Sequence, residues 1–178
     1  MSDTLERLRG YPNFQSWTFG PARSEAGARR RCPLPEGPWN DEPDKVQWIH
    51  PASNLDCLAV RNHFGAWCGY VGVPPEHPLH GQGYGMVDVD VHGGLTFADF
   101  CADSEEPEAI CHVAAPGRPD RVWWLGFDCG HAFDFQPGIM SFEAIPGMVY
   151  RDLAYVVEQV TQLAIQLMEF SRQRPRED

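Results

Sequence analysis

The feature that most limits how this chain can fold is its single long stretch with helical periodicity, at about residues 150–171. Apolar side chains recur there three and four positions apart, which is typical of a helix that buries one face. The apolar positions are Leu153, Val156, Val157, Val160, Leu163, Ala164, Leu167 and Met168. The opposite, polar face carries Glu158, Gln159, Gln162 and Gln166. We therefore expect this helix to cover one face of a sheet.

Glycine and proline divide the rest of the chain into short segments that suit strands. Strands are predicted at 57–61, 66–73, 86–92, 95–98, 110–113 and 121–129. The first two flank a four-residue connection, 62–65, that is typical of a hairpin. Short connections favour antiparallel pairing, because a parallel crossover needs a dozen residues or more. The sequence thus predicts an α+β fold: an antiparallel meander of five to six strands with long irregular loops and one long C-terminal helix on one face.

Length and composition predict the domain organisation. A chain of 178 residues is long enough to bury a core as one domain. Residues 1–45 are rich in proline, glycine and charge, and predict an irregular N-terminal wrap. Residues 46–172 are then a single α+β domain, and residues 173–178 a disordered tail.

The charge balance limits the partners of the protein. With 14 basic against 25 acidic residues, the net charge of -11 repels phosphate backbones and argues against general nucleic-acid binding. No apolar run approaches the length of a membrane span, so no membrane partner is expected. Residues 1–10 lack an apolar signal region, and the six cysteines include no CxxC pair, so we expect a cytoplasmic protein with reduced thiols. The sequence leaves a homo-oligomer open.

The first candidate for chemistry is a strand-like segment that ends at two glycines. Alternation in a strand would place its valines against the helix, and Asp88, Asp90 and His92 on the other face. Asp88 is interpreted as surface, since acids on an exposed sheet face discourage aggregation. His92 directly precedes Gly93-Gly94, and glycine lets a ligand or another backbone approach closely. His92 is therefore a candidate functional group.

The second candidate segment, 123–134, gathers Asp128, Cys129, His131 and Asp134 behind a strand. Cys129 is interpreted as core, and His131 and Asp134 lie three apart, so one helical turn would bring both to the same side. Imidazole and carboxylate suit a divalent metal such as Zn or Mn, whose bound water serves as a nucleophile. The predicted metal ligands are His92, Asp128, His131 and Asp134, and the predicted catalytic residues are His92, Asp128 and His131.

Two other interpretations of these residues stay open. Asp128 can cap the turn after its strand, with His131 hydrogen-bonded to a loop carbonyl. His92 or His131 can also act as a general acid or base without any metal. The expected cofactor is accordingly a divalent metal, Zn or Mn, or none.

Other residues are candidates for ligand contact. Arg61, Asn62 and His63 lie at the predicted hairpin, and Arg151 opens the helix as an anion contact. The adjacent residues Trp123 and Trp124 place one indole on each face of the sheet, and one of these indoles can offer a stacking surface. The predicted ligand contacts are Arg61, Asn62, His63, Gly93, Gly94, Thr96, Trp124 and Arg151.

Several motifs together resemble a family of uncharacterised small proteins from phage and bacterial genomes. The resemblance covers about residues 37–170 and rests on Cys68–Val73, His77–Gly81, Asp90–Phe97, Ile110–Val113 and Trp123–His131. The family has no established activity, so the resemblance implies a phage-type accessory protein of the cytosol and no catalytic assignment. By analogy, such proteins cleave or sequester nucleotide signals of host defence.

These observations together predict a small-molecule site. The favoured function is a hydrolase that acts on a nucleotide or phosphoester signal, with a metal or without one. The alternative is a non-enzymatic protein that binds and sequesters a small nucleotide signal or a host defence protein. The hydrolase hypothesis requires that the glycine turn after His92 meets the turn at His131.

Overall fold

The computed structural model describes residues 3–19, 34–101, 109–139 and 146–172. The strands are β1 (Gln15–Trp17), β2 (Lys45–Ile49), β3 (Asp56–Arg61), β4 (Trp67–Val73), β5 (Phe97–Phe100) and β6 (Trp123–Asp128). The helices are α1 (Asp3–Arg9) and α2 (Leu153–Arg172), with short 3₁₀ helices at Pro38–Asp41 and Tyr84–Met86. The strands form one antiparallel six-stranded sheet in the order β1-β2-β3-β4-β6-β5. The predicted α+β fold is confirmed.

Helix α2 packs its apolar stripe on one face of the sheet, as its periodicity predicts. Leu153, Val160 and Leu167 are completely or almost completely buried there. A Cβ on Gly69 in β4 would lie 2.6 Å from Val160 Cγ2, so glycine at this position lets the helix approach the strand closely. Asp152 caps the helix start, because its Oδ1 accepts a hydrogen bond from Tyr155 N (2.8 Å). Neither described helix combines the length and the apolar character that crossing a lipid bilayer requires.

The predicted strand at 86–92 is not part of the sheet. Its backbone runs along α2 and pairs with glutamine side chains: Asp90 N donates to Gln166 Oε1 (2.7 Å), and Gln166 Nε2 donates to Asp90 O (2.8 Å). Further along, His92 N donates to Gln159 Oε1 (2.8 Å). Alternation did predict the burial, since Val87 is 8% and Val91 7% exposed while Asp88 lies at the surface. The polar face of α2 therefore packs against the segment 86–92 and binds its backbone.

A loop at 109–118, which we call the strap, covers the second face of the sheet. The predicted strand at 110–113 is wrong, because its backbone pairs with a side chain: Gln47 Oε1 accepts from Val113 N (2.9 Å) and Gln47 Nε2 donates to Val113 O (3.0 Å). Lys45 Nζ donates to Ala109 O (2.9 Å). The side chains of Lys45 and Gln47 in β2 thus hold the strap in place through hydrogen bonds to its backbone.

The N-terminal part contains more regular structure than an irregular wrap. Helix α1 buries Leu5 and Leu8, and β1 pairs with β2. A helix of seven residues and a strand of three are too short to show periodicity in the sequence. Residues 20–33 and the predicted tail, 173–178, lie outside the described residues.

The prediction of reduced thiols is wrong for one pair of cysteines. Cys101, just after β5, and Cys111, in the strap, form a disulfide with their Cα atoms 4.9 Å apart. Cys57, Cys68 and Cys129 are free and buried, and burial raises the pKa of the Cys68 thiol to about 12. Spacing alone did not reveal the pair, because the fold brings the strap to the end of β5.

Removal of the disulfide should destabilise the protein. Closure of a loop with a sequence separation of 10 is worth about 2–3 kcal/mol of unfolding free energy. We expect Cys101→Ser to lose about this amount in urea unfolding without reductant. Under dithiothreitol, wild type and variant should converge. A loss that persists under reductant would mean that the serine disturbs packing instead.

Lys45, the only lysine of the chain, should make stability depend on pH. Burial lowers its pKa from 10.5 to about 8. Between these values the unfolded chain binds more protons than the folded protein, so this group raises the free energy of unfolding as pH increases and costs stability below the window. Lys45→Met removes the effect. Its stability relative to wild type should therefore fall by about 1–3 kcal/mol between pH values near 8 and near 10.

The same titration has a built-in control. Thiols and phenols of the unfolded chain also titrate in this range, but they are common to both proteins and cancel in the difference. A difference in unfolding free energy that stays constant across the window would contradict the assignment to Lys45.

Candidate functional site

The two glycine turns that the sequence singles out meet at one end of the sheet. The rings of His92 and His131 lie with their centroids 5.4 Å apart. Gly93 follows His92 and packs against the His131 ring, and both its φ of +67° and this closeness require glycine. A Cβ there would lie 2.5 Å from His131 Nε2. Gly94 completes the turn with a φ of +80° and donates its N–H to Val91 O (2.9 Å).

Both ring nitrogens of His92 have hydrogen-bond partners. Nε2 lies 2.7 Å from Asp134 Oδ2, and Nδ1 lies 2.9 Å from the hydroxyl of Tyr155. An ionised carboxylate only accepts, so Nε2 carries a proton and donates it to Asp134, while Nδ1 pairs with the Tyr155 hydroxyl. The backbone N–H of His92 also donates to Gln159 Oε1. Helix α2 therefore fixes His92 at two points, through Tyr155 and through Gln159.

Asp134 is the most buried charge of the site, with 1% of its side chain exposed. Its Oδ2 also accepts from His131 N (3.1 Å), and its Oδ1 accepts from Arg151 Nε (2.9 Å). Burial by itself raises the pKa of Asp134. The hydrogen bonds from Arg151 and His92 outweigh burial, and the net pKa lies below its ordinary value. The carboxylate therefore stays charged.

His131 faces the same carboxylate without a hydrogen bond to it. Its Nδ1 lies 3.8 Å from Asp134 Oδ2 and 4.0 Å from Asp128 Oδ1. This nitrogen is buried and has no hydrogen-bond partner among the described residues, although 34% of the side chain is exposed. A buried nitrogen that points at carboxylates without a partner is the arrangement that a bound cation would satisfy.

Three residues could together hold a metal ion. One ligand atom each from His92, His131 and Asp134 lies within 4.8 Å of the others. Two imidazoles and one carboxylate suit Zn, Mn or Fe and leave coordination positions open. Tyr155 and Arg151 would orient two of these ligands through the atoms that face away from the ion.

Asp128 was predicted as a metal ligand and catalytic residue, and the structure assigns its oxygens elsewhere. Oδ1 accepts from Gly130 N (2.9 Å) and Oδ2 accepts from the hydroxyl of Thr96 (2.8 Å). These bonds match the alternative interpretation, in which Asp128 caps the turn after its strand. Asp128 is accordingly outside the three-residue group, and the Thr96 hydroxyl stabilises the turn through its hydrogen bond to Asp128.

Two of the predicted ligand contacts are buried. Arg61 is 1% exposed, pairs with Glu42, and donates to Pro43 O (3.1 Å) and Gly65 O (3.0 Å). Trp124 is 0% exposed and packs edge-on against His112 of the strap. The N-terminal segment covers Arg61 and the strap covers Trp124, so neither side chain is presented to solvent, and their contact with a ligand stays a prediction.

The hairpin residues Asn62 and His63 serve local structure. Asn62 Oδ1 accepts from Phe64 N (2.9 Å) and Ala66 N (3.1 Å), and the His63 ring packs on that of Phe64. Within the described residues, neither side chain hydrogen-bonds to the three-residue group. Of the predicted ligand contacts, Gly93 and Arg151 do touch it.

Sequence reasoning missed Tyr155 and Gln159. Both follow Arg151 at intervals of four, so the three side chains form a polar stripe along one side of α2. The guanidinium of Arg151 lies over the Tyr155 ring, 4.7 Å from its centroid. This stripe was the available signal, but a polar helix face ordinarily indicates contact with solvent.

No protein-family model, no curated protein and no solved structure matches this chain. The resemblance to a family of phage and bacterial proteins therefore stays a prediction.

Loss of the Asp134 charge should weaken the fold more than loss of the Asp128 charge. Asp134→Asn leaves Arg151 and His92 without their buried anion, and we expect a loss of about 2–4 kcal/mol in urea unfolding. Asp128→Asn is the matched control, because its carboxylate is 37% exposed and its loss should cost about 1 kcal/mol or less. Equal losses would show that Asp134 is not the anchor of the site.

Proposed function

We propose that this protein is a hydrolase that acts on a phosphoester of nucleotide type with the help of a divalent metal ion. The main support for this proposal is that His92, His131 and Asp134 converge, with ligand atoms within 4.8 Å of one another. The buried, unpartnered Nδ1 of His131 supports a metal over a purely structural cluster, because a cation would supply the missing partner.

The metal would supply a nucleophile at neutral pH. Three protein ligands leave a position for water, and coordination lowers the pKa of that water towards neutrality. His92 would bind through Nε2 and carry its proton on Nδ1, from where it donates to the Tyr155 hydroxyl. Asp134 would bind through Oδ2 and keep its bond to Arg151 through Oδ1.

Arg151 supports an anionic substrate. Only its Nε is used by Asp134, and within the described residues its Nη groups make no hydrogen bond. With 28% of the side chain exposed, these groups can reach a phosphoryl oxygen beside the metal. A local cation matters here, because the net charge of -11 otherwise repels anions.

A metal-free mechanism is a second candidate, favoured by one observation. Asp134, His92 and Tyr155 form a continuous chain of hydrogen bonds of 2.7 and 2.9 Å. In this arrangement Asp134 orients the His92 ring, and His92 accepts the proton that Tyr155 releases. The Tyr155 oxygen would then attack phosphorus in place of metal-bound water, the ester oxygen would leave with the proton from His92, and water would hydrolyse the phosphotyrosine.

Metal analysis and a nucleotide panel test the proposal. Protein purified without chelators should hold about one equivalent of Zn or Mn, and chelation should abolish phosphoester hydrolysis. We expect His131→Ala to lose both the metal and about 100-fold or more in kcat/KM. His63→Ala is the control, since this histidine lies in the hairpin, and it should keep both.

Each other outcome identifies a different function. Activity that survives His92→Ala and His131→Ala would refute the assignment of the site. Activity without metal that Tyr155→Phe abolishes would support the proton chain instead. Intact nucleotide recovered after heat denaturation, with no turnover, would indicate a protein that sequesters its ligand.

A further inference from the structure

Phe133 has a conformation and an exposure that its own packing does not explain. It stands between His131 and Asp134, with a φ of +72° and 68% of its surface exposed. The left-handed region is sterically costly for a bulky side chain, while glycine and asparagine adopt it readily. An exposed aromatic ring also recovers little energy from burial. Such a backbone outlier beside a cluster of ligand atoms points to a functional role.

The backbone around Phe133 is held rigidly on both sides. Asp134 N donates to His131 O (3.0 Å), and this bond closes the turn. Phe133 O accepts from Val149 N (2.8 Å), and Phe135 N donates to Val149 O (2.8 Å). The ring is therefore presented from a fixed turn, and Val149, whose backbone pairs with this turn, is itself 46% exposed.

We infer that Phe133 is the surface on which a planar ring of the substrate stacks, so that the substrate is a phosphoester that carries an aromatic base. This inference rests on the proposed function. Arg151 and the three-residue group would hold the phosphoryl end, and Phe133, one residue from Asp134, would hold the ring. Stacking of a base on an exposed aromatic side chain does not require hydrogen-bond readout. Phe133 thus takes the role that the sequence assigned to the buried Trp124.

Binding of AMP and of ribose 5-phosphate tests the inference, because the two ligands share the phosphate and differ in the base. By calorimetry on the metal-loaded protein, we expect AMP to bind at least about tenfold more tightly than ribose 5-phosphate. Phe133→Asn should remove this difference and leave the affinity for ribose 5-phosphate unchanged. Asparagine accepts the left-handed backbone, so this variant should fold at least as stably as wild type.

Two further variants serve as controls. Phe133→Tyr keeps the ring and should restore the preference for AMP. Ile139→Asn removes a different exposed apolar side chain, 53% exposed, and should leave the preference intact. Equal affinities for the two ligands in wild type, no binding of either, or a preference that survives Phe133→Asn would each overturn the inference.

Turnover distinguishes the failure of this inference from the failure of the proposed function. A preference for AMP that depends on Phe133, without hydrolysis of any phosphoester, would leave the stacking surface standing and refute the hydrolase. Hydrolysis of phosphoesters with the same kcat/KM for aromatic and sugar substrates would support the hydrolase and refute the stacking surface.

Discussion

The start of α2 is fixed to the sheet by a single carboxylate, that of Glu42, which is 13% exposed. Its Oε1 accepts the first helical N–H, from Leu153 (2.8 Å), while Oε2 accepts from the Arg61 guanidinium, the Trp67 indole (3.0 Å) and the Tyr150 hydroxyl (2.7 Å). One side chain thereby joins the N-terminal segment, β3, β4 and the helix. Because Arg61 is completely buried, removal of the Glu42 charge would leave the guanidinium with the more distant carboxylate of Asp44, 3.9 Å from its Nε, to balance its charge. This pair sets where the helix begins.

The site inherits its geometry from that starting point. Arg151 precedes the first turn of α2, and Tyr155 and Gln159 follow on the same side of the helix, where they hold Asp134 and His92. One residue of helical register corresponds to a rotation of about 100°, which would carry all of these contacts away from the two glycine turns. His92 lies on a segment outside the sheet, so the helix positions it. The hydrophobic stripe of α2 and its polar stripe therefore have separate functions: one builds the core and the other builds the site.

The sequence predicted those parts of the fold whose pattern repeats over several residues. Helix α2, the hairpin of β3 and β4, and β6 follow from periodicity and turn chemistry. The segment at 86–92 shows why the rest did not: alternation reports which side chains are buried, but not which groups accept the backbone hydrogen bonds, and here glutamines replace a strand. The same limit applies to the site. Residue type and glycine spacing pointed to His92, His131 and Asp134, whereas Asp128 lies outside this group, because Thr96 and a turn N–H hydrogen-bond to its oxygens.

Buried polar atoms without partners occur at several places among the described residues, and those under the strap differ from the one at His131 in their access to solvent. Under the strap, both nitrogens of His112 and Oδ1 of Asp56, 4.0 Å away, are buried without partners. Burial lowers the pKa of His112, and only 2% of its side chain is exposed. Around His131 the unpartnered nitrogen is accompanied by a partly exposed ring, by an exposed Phe133 with a left-handed backbone, and by Arg151, whose Nη groups hydrogen-bond to none of the described residues. A buried polar atom without a hydrogen-bond partner is, by itself, explained by local strain or by a water molecule that bridges it. Where several such features coincide with access from solvent, as they do around His131, binding of the proposed ligand would offset their cost.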